Sequence, residues 1–175
     1  MKFLLFISAI ILFAAANSSA QVTSVYTDLD ASKCKTIEVD EEGGGLYRGE
    51  CKGVGGYKLH VVEGDLRQSI DVISPGGGQR QLKFWDVSSA FSYVGNKAEW
   101  RVRRGVPFAL IVRFNISENP EDTRKITSLL VVSKITRDGS CVTDVVRPQA
   151  NQNAVARRLA DASAAKPCKF SYEDE

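Results

Sequence analysis

From residue 21 onward the chain reads as short apolar runs, five to ten residues long at most, separated by clusters of glycine, asparagine, aspartate and proline. That punctuation is the mark of antiparallel β structure. In "GGYKLHVVEGDLRQSIDVI" the residues Tyr57, Leu59 and Val61 fall on one face of a strand, with Lys58, His60 and Val62 on the other. Gly64-Asp65 has the glycine-first order of a two-residue type II′ turn. A hairpin closed there pairs Val61 with Gln68, Leu59 with Ile70 and Tyr57 with Val72 on one face. On the other face it sets Val62 against Arg67, His60 against Ser69 and Lys58 against Asp71, so apolar and polar partners sort cleanly.

The second half continues the pattern. "AEWRVR" places Trp100 and Val102 on one face, toward the core, and Arg101 and Arg103 on the other. After the turn "RGVP", the run "FALIVRF" alternates Phe108, Leu110, Val112 and Phe114 with Ala109, Ile111 and Arg113. "ITSLLVVSKI" is apolar at nearly every central position, as expected of a strand buried on both faces. Asp138-Gly139 marks the next turn, and "CVTDVV" closes a meander of about four strands. The one helical pattern is "NQNAVARRLADASAA", with Val155, Leu159 and Ala162 on one face, Asn151 or Asn153 as its cap, and Pro167 beyond its end. The expectation is therefore a mainly β protein: an antiparallel meander or sandwich-like single domain with one C-terminal α-helix.

The first twenty residues differ in kind. A single early charge at Lys2 precedes an apolar run from Phe3 to Ala16, and Ser18 and Ala20 stand where a signal peptidase reads. This is the pattern of a secretory signal peptide over residues 1–20, followed by one domain over 21–175. The apolar run is shorter than the ~20 residues of a spanning helix, so no membrane span is expected after cleavage. Of the 23 Lys and Arg, Lys2 lies in that segment, which leaves 22 against 21 acidic residues. A nearly neutral domain lacks the positive field that general nucleic-acid binding needs. Export to the periplasm or beyond also makes the four cysteines, Cys34, Cys51, Cys141 and Cys168, a disulfide set. Of three connectivities the two local ones, Cys34–Cys51 and Cys141–Cys168, are favoured, each closing a loop for about 3 kcal/mol. No two cysteines are closely spaced and there is one histidine, so no metal site and no cofactor are expected.

Candidate chemistry is sparse. Gly53, Gly55 and Gly56 run into a strand, whereas phosphate-cradling glycines run into a helix N-terminus. A Ser69–His60–Asp71 set shares one strand face, but it has no nucleophile elbow and no evident oxyanion donors, and a solvated face is the simpler reading. The carboxylates Asp28, Asp30 and Glu63 are the ones to test for hydrolysis, which needs two of them across a cleft. The basic and aromatic group Lys83, Trp85, Arg101, Arg103 and Arg104 suits an acidic protein loop or an anionic glycan.

Five stretches, "YTDLD" (26–30), "EGDLRQS" (63–69), "AEWR" (98–101), "GVPFALIVRF" (105–114) and "LVVSK" (130–134), resemble a family of small exported alphaproteobacterial proteins with no assigned activity. The resemblance implies a periplasmic or secreted location and assigns no catalytic residue. The sequence thus favours a non-catalytic binding domain of the cell envelope, its partner an envelope protein or glycan. A small hydrolase acting through carboxylates, or a secreted inhibitor of a host enzyme, are the alternatives.

Overall fold

A computed structural model describes residues 21–40, 45–119, 121–122, 124–136 and 139–170. The expected signal peptide, Asp138 of the expected turn and the residues after 170 lie outside these. The described residues form ten strands: β1 (Val22–Asp28), β2 (Lys35–Val39), β3 (Tyr47–Lys52), β4 (Lys58–Gly64), β5 (Arg67–Ile73), β6 (Gln79–Gln81), β7 (Ser92–Arg103), β8 (Val106–Ser117), β9 (Ile126–Thr136) and β10 (Gly139–Val146). One helix, α1 (Gln152–Asp161), follows.

The strands run in the order β10-β9-β8-β7-β5-β4-β3-β2, with β1 paired to β7 and β6 to β5. Among the described residues every ladder is antiparallel except a single parallel bridge, Arg67 to Ser92, which joins the two halves of the sheet. The halves share one core, built from Leu59, Val61, Ile70 and Val72 on β4 and β5 and from Trp100, Leu110, Val112, Phe114 and Val131 on β7 to β9. Phe84 and Phe114 meet edge to face across it, with ring centroids 5.2 Å apart.

The opposite face of β8 and β9 is also buried. There Ala109, Ile111, Leu130 and Val132 pack against Ala156 and Ala160 of α1. The two alanines let the helix lie close to the sheet, flanked by Val155 and Leu159. Ala162, expected on the same face, is exposed because the α-helix has already ended at Asp161. Asn151 holds the capping position in the left-handed conformation, with no side-chain capping bond. Gln152 ties the helix start to the sheet instead, donating to the Ser128 and Val146 carbonyls at 2.9 and 3.0 Å.

Both disulfides follow the local pairing, Cys34–Cys51 and Cys141–Cys168. The first fastens the start of edge strand β2 to β3. The second fastens the segment after α1 to β10, where the Lys169 amide also donates to the Val142 carbonyl at 2.7 Å.

The β4–β5 hairpin differs from the expected register. Its turn is Asp65-Leu66, both at positive φ (52° and 56°), so Gly64 pairs with Arg67, Leu59 with Val72, His60 with Asp71 and Val62 with Ser69. Two left-handed residues form the type I′ geometry, whose twist matches that of the strands. The Gln68 amide donates to Glu63 at 2.6 Å across the pair next to the turn. Because the slip is two positions, each side chain keeps its face and only its partner changes.

Candidate functional site

The basic and aromatic group expected to form one surface is divided. Arg101 is buried, at 8 % exposure. Its guanidinium makes a two-pronged contact with Asp161 of α1, at 2.7 and 2.9 Å, and donates to Ser24 of β1. Beside it, Glu99 accepts from Arg157 of α1 (2.6 and 3.3 Å) and from the Ser24 hydroxyl, while Arg157 also donates to the Tyr26 oxygen at 2.8 Å. Burial alone would push the Glu99 carboxyl up, but the bonds from Arg157 and Ser24 outweigh it and leave its pKa below the usual carboxylate value. Arg101 thus cements the helix to the sheet and offers no surface to a partner.

Arg103 and Arg104 are exposed at the β7–β8 turn, where the Arg103 guanidinium lies 4.7 Å from the Phe108 ring centroid. Lys83 and Trp85 belong elsewhere. They flank Phe84, which packs on Phe114, whereas Arg103 pairs with Val106. Those two β8 positions are roughly 26 Å apart along the strand. Trp100 is core, its indole N–H donating to Thr27 at 2.9 Å.

The carboxylates are each engaged by a partner of their own. Asp28 pairs with Lys97. Asp30 caps the short turn Ala31–Lys33, accepting from the Ser32 amide and hydroxyl at 2.9 and 2.7 Å, which lowers its pKa. Glu63 accepts from Gln68. No set of three or more His, Cys, Asp or Glu among the described residues is placed to hold a metal ion.

The face around His60 is less solvated than its sequence suggests. Adjacent strands align Lys35, Glu50, His60, Asp71 and Gln81 in one transverse row. His60 and Asp71 stand opposite each other at 9 % and 1 % exposure. The His60 Nε2 is 3.5 Å from Glu50, too far for a good hydrogen bond, and neither ring nitrogen has a hydrogen-bond partner among the described residues. One Asp71 oxygen accepts from Gln79 at 2.7 Å and the other has no partner among the described residues. Burial raises the Asp71 pKa, against the opposing effects of Gln79, Arg48 and His60. Ser69 is fully buried opposite Val62, and its hydroxyl accepts the Phe84 amide at 2.9 Å. A serine so placed is no nucleophile: it is closed to substrate and serves the backbone.

The most unusual surface lies at the end of the molecule where the halves join. Leu66 (59 % exposed), Phe91 (49 %), Tyr93 (48 %) and Ile126 (41 %) surround a depression of about 320 Å³ that Glu63, Gln68, Ser92 and Ser117 also line. A second depression, bordered by Ser88, Ala90 and Glu118, adjoins it through Phe91 and Ser117. At this end the usual strand logic is inverted. Ser92 and Val94 point inward and are buried, while the large aromatic residues on either side of Ser92 face out. Leu66, a bulky residue held at φ 56°, sits in a conformation that costs on the order of 1 kcal/mol. The sequence carries a signal for this surface in "FSYV", where the aromatic positions alternate out of phase with the buried ones.

Compared with known protein families, curated proteins and solved structures, the chain matches none of them.

Proposed function

We propose that this chain is an exported, non-catalytic interaction domain of the cell envelope, whose contact surface is the apolar end formed by Leu66, Phe91, Tyr93 and Ile126. The observation that carries the reading is the inversion at the start of β7, which holds two aromatic rings in solvent and a serine in the interior. Exposed aromatic and aliphatic side chains gathered around one concavity are the chemistry of protein–protein hot spots. The partner is a protein that presents apolar side chains of its own. Export is supported by the apolar segment at the N-terminus and by two disulfides, which persist in oxidising compartments. A hydrolase reading draws no support from Asp28, Asp30 and Glu63, each of which is engaged separately.

The test is crosslinked capture from the native envelope with two variants beside the parent. Phe91→Ser with Tyr93→Ser is expected to reduce capture of the principal partner at least tenfold while the circular dichroism spectrum and Tm hold. Charge reversal at Arg103 and Arg104 is expected to leave capture intact. Undiminished capture by the Phe91/Tyr93 variant would sink the proposal.

A further inference from the structure

Far from the apolar end in character is a polar cleft between β6 and β10, beside the Cys141–Cys168 disulfide, with a volume of about 280 Å³. This is close to the ~300 Å³ at which small-molecule sites begin. Its lining includes Gln79, Arg80, Lys83, Asp86, Ser140 and Phe170. Arg80 donates to the Gln79 carbonyl at 3.2 Å and has no carboxylate partner among the described residues. One Asp86 carboxylate oxygen is buried without a hydrogen-bond partner among the described residues. The Gln79 amide nitrogen is committed to Asp71, so the side chain is anchored from behind. Lys83 is held at φ 48°, a left-handed conformation that a lysine adopts at a cost.

We infer that this cleft binds a carboxylate-bearing sugar, a uronate unit of an acidic glycan. Arg80 supplies the charge that a carboxylate needs, and its fork matches the two oxygens. Charge alone would not call for Asp86 in the same wall. A carboxylate, an amide and the Ser140 hydroxyl together are acceptors and donors for sugar hydroxyls. Phe170, half-buried against the core, adds an apolar portion to the same wall. An extended acidic peptide fits less well. It would bind by adding a strand, and the β10 edge is already occupied where the Lys169 amide bonds the Val142 carbonyl.

The experiment is titration calorimetry of the full exported chain with a short oligogalacturonate, a neutral oligosaccharide of equal length and a polyglutamate peptide of equal charge. Binding of the oligogalacturonate alone is expected. Arg80→Gln, at an exposed position, should weaken it at least tenfold with Tm unchanged. Asp86→Asn separates sugar recognition from simple attraction. It weakens binding if the carboxylate holds a hydroxyl and strengthens it if only charge matters. Equal binding of polyglutamate, tighter binding by Asp86→Asn, or no binding of oligogalacturonate would each overturn the inference. The Phe91→Ser/Tyr93→Ser variant should bind the oligogalacturonate as the parent does, so this site and the apolar end stand or fall separately.

Discussion

Two clusters of ionisable side chains, each with buried members, lie on the outward faces of the two halves of the sheet and are brought to opposite conditions. On β1 and β7, helix α1 forms a roof. Arg101 and Asp161, and Glu99 and Arg157, then satisfy one another, with Ser24 bridging them. On β3 to β5 no helix arrives. His60 and Asp71 are buried by their neighbours in the sheet, and they keep polar atoms without partners among the described residues. The contrast teaches that burial does not decide what a charge contributes. A counter-ion delivered from a second layer turns Arg101 into cement, whereas Asp71 remains a cost to folding.

The sharpest way to break the first cluster is Asp161→Ala. It leaves the Arg101 guanidinium buried without its two-pronged partner, and a loss of about 3 kcal/mol is expected, read by chemical denaturation. Glu99→Gln should cost about 2 kcal/mol at pH 7. That difference carries a pH signature. Because the folded-state pKa of Glu99 is lowered, its contribution is present above the unfolded value of about 4.3 and is lost as the pH falls through the folded value. Parent and variant should therefore converge in acid.

Asp71→Asn probes the opposite sign. The Asp71 pKa is raised, so the stability linked to its protonation is fully present below about 3.9 and lost as the pH rises through the folded value. The variant is expected to be more stable than the parent by about 1 kcal/mol at pH 7, with the gap closing in acid. A destabilised Asp71→Asn would mean that the carboxylate has a partner the contacts do not include, and the comparison would fail. The smallest effect belongs to His60→Gln, which removes no well-made hydrogen bond and should change stability by less than about 0.5 kcal/mol at pH 7.

Much of the framework was legible along the chain, because it is local. The β7–β10 meander, the two-sided burial of β9 and the position of α1 follow from alternation and turn residues between neighbours in sequence. The disulfide pairing follows from loop length. What alternation could not reach is the roof. Arg101 reads as part of a partner-facing basic group because period two distinguishes only inside from outside, and its partner Asp161 comes from an element much later in the chain. The same blindness hid Asp71 and His60. The hairpin faces were readable but its register was not, since a shift of two positions leaves every apolar residue on the proper side. The aromatic inversion around Ser92 was in plain sight, as "FSYV", but it gains meaning only when Ser92 is known to be buried.

The pairing of β1 with β7 also dictates an order of events as the chain emerges from its N-terminus. Val22 meets Arg103 and Asp28 meets Lys97, so β1 has no ladder until β2 to β6 and then β7 have followed it. Hairpin β4–β5 and the Cys34–Cys51 loop can close meanwhile, since all their parts are at hand. For that interval β1 is an unpaired strand tethered to a half-built sheet, the state in which chains are most exposed to pairing with one another. Its protection waits on a strand from the middle of the chain.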